Sequence, residues 1–254
     1  MTVRAYPSLR LVLVLVFLLS GCGAPDMEAP PEPIPAPAET PEMPTALHWV
    51  RNSTEARAAY FQAYRLATIQ LESLAADLEP GTWAVSVDAD ETTIDNSLYE
   101  KELVAQGQSF TDESWNAWAA RREATAVPGV EQFLEAVQVL GGKVAVVTNR
   151  REIICEDTEA NLRAIGIPFD LLLCRPTGSD REKEPRWQAI QDGSASPELP
   201  PLEIIMWVGD NVGDFPDLDQ ELRKEGEEAF GDFGKRFIVL PNPVYGSWAS
   251  NPQD

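Results

Sequence analysis

From residue 46 onward, short apolar runs alternate with stretches of helical spacing. The runs are Trp83 to Val87, Val144 to Val147, Leu171 to Leu173, Ile204 to Val208 and Phe237 to Leu240. Between them, apolar residues recur at three- and four-residue intervals near Val130 to Leu140, Glu152 to Ile165 and Arg181 to Gln191. Continuous apolar runs are strands buried on both faces, and the helical stretches are the crossovers that parallel strands need. The pattern predicts an α/β fold, a doubly wound parallel sheet with helices on both faces. Ahead of the first strand, Tyr60, Tyr64, Leu71, Leu74 and Leu78 follow helical spacing as far as Pro80, and Asn52 with Glu55 is set as a capping box. A long amphipathic helix is therefore expected before the sheet. The segment 96–127 is far longer than an ordinary strand-to-helix connection. It carries Trp115 and Trp118 among polar residues, which predicts a small helical cap inserted after the first strand.

The N-terminal part has a different pattern. Arg4 and Arg10 precede an apolar stretch from Leu11 to Leu19, followed by Ser20, Gly21 and Cys22. The stretch is much shorter than the roughly 20 residues of a membrane span, so residues 1–21 read as a signal peptide. Leu19-Ser20-Gly21-Cys22 resembles a bacterial lipobox, which implies cleavage before Cys22 and acylation of that residue. Gly23 in place of an aspartate implies, by resemblance to lipoprotein sorting in Gram-negative bacteria, the outer membrane. The domain would then lie in the periplasm or at the cell surface. Residues 22–45 are dominated by Pro, Ala and Glu and cannot build a core. They read as a stiff extended tether, leaving one domain over 46–254.

The charge narrows the partners. A net charge of -21 argues against binding nucleic acid polymers. A small phosphate ester remains compatible, because screening leaves local groups to decide. The single histidine, His48, lies just after the tether with no Cys or His near it. That weakens histidine-nucleophile, Ser-His-Asp and His-ligated zinc chemistry together. Abundant carboxylate suits a hard, oxygen-seeking cation such as Mg²⁺. Cys155 and Cys174 fall at the same edge of a parallel sheet. A disulfide is sterically open to them, although two buried thiols would give the same sequence.

Ligands of open parallel sheets bind outside the carboxyl ends of the strands. The first strand here ends in Asp88-Ala89-Asp90-Glu91-Thr92, the second in Thr148-Asn149-Arg150, and the fourth in Gly209-Asp210-Asn211 with Asp214 close behind. One such residue is ordinarily a turn or a helix cap. Three strands ending this way point to a site, and Asp88 and Asp210 at neighbouring ends would repel unless a bound cation neutralised them.

These same residues carry a family resemblance. The run from Asp88 to Tyr99 resembles the first motif of the class C bacterial acid phosphatases, lipoproteins of the haloacid dehalogenase (HAD) superfamily. Val147-Thr148-Asn149-Arg150 resembles the middle motif, and the run from Gly209 to Phe215 resembles the last. Ala89 departs from the larger aliphatic residue usual between the two aspartates. The resemblance extends to Trp49, Trp115, Trp118, the run Ala126 to Gly129, Pro241-Asn242, Tyr245-Gly246 and Trp248. It implies a HAD-like fold and hydrolysis of small phosphomonoesters, with nucleoside 5'-monophosphates among the candidate substrates.

It also implies roles. Asp88 would be the nucleophile that forms an aspartyl-phosphate, and Asp90 the group that protonates the leaving alcohol and then activates water. Mg²⁺ would be held by Asp88, the Asp90 backbone carbonyl and Asp210, with Asp214 in support. Thr148 and Asn149 would bind phosphoryl oxygens, and Lys183 in Lys183-Glu184-Pro185-Arg186 would supply the cation. Arg150, Arg186, Tyr99, Trp118 and Tyr245 are candidate substrate contacts, the aromatics together with Trp115 either stacking on a nucleobase or packing cap against sheet. A second reading is a non-catalytic envelope lipoprotein that uses the fold as a binding module; retention of Asp88, Asp90 and Asp210 favours the enzyme. Another HAD reaction, such as phosphoryl transfer between sugars, fits poorly with export.

Overall fold

A computed structural model describes residues 41–253. The predicted signal peptide and nearly all of the tether, Cys22 included, lie outside the described residues. Helices α1 (Thr45–Asn52) and α2 (Thr54–Leu74) come first. The chain breaks between them at Ser53, whose extended backbone lets its hydroxyl accept from the amide of Ala56 at 2.9 Å. The cap of the long helix is therefore Ser53, and the expected Asn52 instead closes α1. Either residue could cap by composition, but only Ser53 leaves the helical conformation.

The sheet is built from β1 (Trp83–Val87), β4 (Lys143–Arg151), β5 (Leu171–Arg175), β6 (Glu203–Gly209) and β7 (Phe237–Val239). Its order is β5-β4-β1-β6-β7, and every neighbouring pair is parallel. β1 therefore lies centrally, with β4 and β6 on either side. Helix α5 (Val130–Val139) joins α2 on one face, where Tyr64, Leu71, Phe133 and Leu134 pack on Val85, Val87, Val144 and Val146. Helix α7 (Glu184–Gln191) covers the other face, where Ala84, Ala145 and Val147 meet Trp187, Trp207 and Phe237. The period-two alternation of β1 explains the division. Small residues on the second face make room for the indoles, and the Trp187 Nε1–H donates to buried Ser86 Oγ at 2.9 Å.

β4 runs beyond the apolar core predicted for it. Its register against β5 shifts between Val147 and Arg151, and such an irregularity re-aims side chains at the end of a strand. Thr148, Asn149 and Arg150 occupy that stretch. Helix α6 (Cys155–Ala164) follows a short 3₁₀ turn, and a disulfide joins Cys155 at its start to Cys174 in β5.

The insertion after β1 folds as a cap of two helices, α3 (Ser97–Gln106) and α4 (Asp112–Arg121). Its neck is a two-stranded antiparallel pair, β2 (Ile94–Asp95) with β3 (Thr125–Ala126). Thr111 and Ser114 form a capping box that starts α4, and Gly107 ends α3 in the left-handed region at φ 61°. Tyr99 packs against Trp115 and Trp118, with ring centroids 5.2 and 5.9 Å away.

Candidate active site

The loop after β1 turns sharply. Glu91 has φ 51°, and the amides of Thr93 and Ile94 both donate to Ala89 O, at 2.9 and 2.8 Å. Helix α2 braces this loop from outside, because Tyr64 Oη donates to Thr92 O at 2.6 Å. One helical turn earlier, Tyr60 Oη donates to Pro241 O at 3.0 Å, in the loop after β7. Asn242 of that loop donates from Nδ2 to Asp210 Oδ2 at 2.8 Å. The loop of Asp88 and Asp90 directly, and Asp210 through Asn242, are thus referenced to one helix.

Asp88, Asp210 and Asp214 each bring a carboxylate oxygen to within 4.8 Å of the others. Gly209 permits this closeness: a Cβ there would lie 2.3 Å from both Cβ and Oδ2 of Asp214. Among the described residues, the one ammonium that meets them is buried Lys183 at the entry to α7, whose Nζ lies 2.5 Å from Asp88 Oδ1 and 2.7 Å from Asp214 Oδ1. Burial pushes the Asp88 carboxyl up to about 7; Lys183 opposes the rise, and the neighbouring charges of Asp214 and Asp90 add to it. Burial, then Asp214 and Asp88, hold Asp210 well above the usual carboxylate range. Lys183 shows the opposite balance. Burial alone would lower it, but Asp214 and Asp88 more than offset that and leave it raised.

A single ammonium set against three carboxylates leaves the cluster short of positive charge. The oxygen-only donor set suits a hard divalent cation, and Asp210 keeps one oxygen free of hydrogen bonds among the described residues. Asp88, Asp210 and the Asp90 carbonyl are the groups that would hold such an ion, with Asp214 supporting them.

The cluster opens onto a cleft of about 1360 Å³ between cap and sheet edge. Asp88, Asp90, Asn149, Asp210, Asp214 and Tyr245 line it. The remaining candidates differ from one another. Arg150 borders the cleft but is buried, its guanidinium turned to Asp90, Thr158 and Asn96. Arg186 lies behind the wall and donates to Thr148 O, Asn149 Oδ1 and Glu182 O. It fixes the end of β4 and does not face a substrate. Thr148 is fully buried and accepts from the Arg150 amide at 3.1 Å through Oγ1. Tyr99 and Trp118 are buried in the cap, with Tyr99 Oη paired to Ser114 Oγ at 2.8 Å and Trp118 Nε1 donating to Asn96 Oδ1 at 2.9 Å. Neither lines the cleft. Of the expected aromatics Trp115 and Tyr245 do line it, joined by Phe110, Arg151, Arg175 and Arg181, which the sequence did not single out.

A family profile described as HAD superfamily, subfamily IIIB (acid phosphatase) matches residues 34–248. The chain belongs to this family. Among solved structures, the class C acid phosphatase from Bacillus anthracis is 27% identical, with a TM-score of 0.71, over 80% of this chain and 84% of that one. The same class C enzyme with tungstate bound matches at 25% identity and a TM-score of 0.70, with the same coverage. The HAD-like fold is thus that of an acid phosphatase, an enzyme that hydrolyses phosphomonoesters. HAD phosphatases generally use a divalent metal ion, in keeping with the acidic cluster.

Proposed function

We propose that this acid phosphatase is Mg²⁺-dependent and works through an aspartyl-phosphate on Asp88. The observation that carries the reading is the gathering of Asp88, Asp210 and Asp214 around one buried ammonium at the floor of an open cleft. Asp88 attacks phosphorus as the bond to the ester oxygen breaks, and Asp90 gives the departing oxygen its proton. Water then attacks the phosphoenzyme and passes a proton to Asp90, which releases Asp88 and inorganic phosphate. The bound ion would withdraw negative charge from the phosphoryl group and keep Asp88 ionised. Asn149 has its Oδ1 committed to Arg186, which leaves its amide nitrogen for a phosphoryl oxygen. Lys183 holds Asp88 in place and stabilises charge on the transferring group. Tungstate is an oxyanion like phosphate, so its binding to the Bacillus anthracis relative supports an oxyanion site of this kind.

The substrates we propose are small esters that include nucleoside monophosphates. The cleft is large enough for one, and Trp115, Phe110 and Tyr245 offer faces for a base. Acylation of Cys22 would tether the domain to the outer membrane through 22–45. Replacing Cys22 by Ala should then move the protein from the membrane to the soluble fraction.

The deciding experiment is hydrolysis of a chromogenic phosphate ester with Mg²⁺ and with chelator. Activity should need the ion and vanish in Asp88→Asn, whereas undiminished turnover by that variant would rule out the nucleophile. A panel of nucleotides, sugar phosphates and aryl phosphates ranks the substrates.

A further inference from the structure

Asp90 is held by groups that the chemistry above does not require. Its Oδ1 accepts from Asn96 Nδ2 at 2.8 Å and from Arg150 Nε at 2.9 Å, and Arg150 Nη2 lies 2.8 Å away. Its Oδ2 accepts no hydrogen bond among the described residues. Asn96 and Arg150 are buried, while Asp90 borders the cleft, so the saturated oxygen faces inward and the free one outward.

Asn96 stands at the cap position of α3, where an Asn side chain ordinarily accepts from an amide of the first turn. It makes no such bond. Its Oδ1 accepts instead from Trp118 Nε1 at 2.9 Å and from Arg150 Nη2 at 3.0 Å. Indole and guanidinium nitrogens only donate, and carboxylates accept. The amide can therefore sit only one way round, with Nδ2 toward Asp90 and Glu91. The reverse orientation would set its oxygen against Asp90 Oδ1 and its N–H bonds against two donors. Arg150 adds a second tie to the cap, lying 5.1 Å from the centre of the Trp115 ring.

We infer that Trp118, Asn96 and Arg150 form a positioning relay that fixes the Asp90 carboxyl with Oδ2 free toward the ester oxygen. The relay originates in the cap, so Trp118 of cap helix α4 sets the aim of the proton donor without touching the substrate. Trp118 and Arg150 are thereby positioning residues. The inference rests on the reading of Asp90 as acid and base.

Leaving-group dependence tests it. An alkyl alkoxide needs a proton to depart, whereas dinitrophenolate leaves without one, and kcat/KM covers the steps through departure. Trp118→Phe keeps a ring and removes the N–H. It should lower kcat/KM for an alkyl phosphate about 5- to 10-fold, the worth of one hydrogen bond to the relay, and leave dinitrophenyl phosphate within about 2-fold. Asn96→Leu should widen the gap between the two esters further. Thermal midpoints identify a variant that fails to fold, and Trp118→Phe carries the test if Asn96→Leu does. Equal losses on both esters, or no loss on either, would overturn the relay. Asp90→Asn run alongside separates the failures. If it discriminates between the esters and Trp118→Phe does not, the relay alone falls; if it does not discriminate, the acid role of Asp90 falls and the relay with it.

Discussion

Two carboxylates two residues apart sit in opposite electrostatic settings. Around Asp88, one ammonium answers three carboxylates, while around Asp90 the donors of a guanidinium and an amide crowd a single oxygen. Asp88 looks toward the loop after β6 and the start of α7; Asp90 looks toward the neck of the cap and the end of β4. The first setting is short of positive charge and open to a cation and a phosphoryl group. The second is saturated on one edge and geometrically fixed. A shortage of charge suits charge transfer to phosphorus, and a fixed edge suits movement of a proton.

The largest expected effect comes from deepening the shortage. Lys183→Met would leave Asp88 and Asp214 buried without their counter-ion, and breaking such a pair costs about 3 to 5 kcal/mol. Urea unfolding in chelator should show that loss, with partial recovery on adding Mg²⁺; an unchanged midpoint would break the comparison. Next, Asn242→Ala frees Asp210 from its orienting bond. Loss of an outer partner of this kind lowers metal affinity or activity about 10- to 100-fold, readable as a shift in the Mg²⁺ titration of turnover. On the other side, Arg150→Lys keeps the charge and loses the forked contact, and turnover of alkyl esters should fall roughly 10-fold with little change in Mg²⁺ dependence. A matching shift in Mg²⁺ demand would mean the two settings are not separate.

The most gradual effect is a pH slope. The Asp88 carboxyl titrates at about 7 in the fold against an ordinary 3.8, so between those values the folded state holds a proton that the unfolded chain has lost. Without metal, stability from this group is full below 3.8 and is lost as pH rises toward 7. Asp210 and Glu91, also raised chiefly by burial, act in the same direction. Denaturation midpoints measured in chelator should fall across that interval, and excess Mg²⁺, which favours the ionised form, should flatten the fall.

The sheet was readable because strands buried on both faces leave continuous apolar runs, and the acidic ends of β1 and β6 stood out against them. The end of β4 was harder to place. Its polar residues Thr148 to Arg150 were expected only as the terminus of the apolar run, yet with Arg151 they extend the strand through a register shift that only pairing with β5 defines. Sequence identified polar and aromatic residues near the site without giving the direction of their tips. Arg186, Arg150, Trp118 and Tyr99 all point away from substrate, each toward a partner distant in the chain. Asn96 was hidden for a different reason: an Asn ahead of a helix reads as a cap, and nothing local reveals that its side chain is used elsewhere. The pairing of Cys155 with Cys174 also required coordinates, because neighbouring positions at a sheet edge fit thiols equally well.

Tyr60 and Tyr64 lie outside every motif, yet their hydroxyls grip the loop that leads to Asn242 and the loop that carries Asp90. A shortened enzyme begun at Trp83 would retain all five strands of the central sheet and every reactive group. It would lose the common datum against which those two loops are aligned and bare the sheet face that Tyr64 and Leu71 cover, so the helix that aligns the site is also one the fold cannot shed.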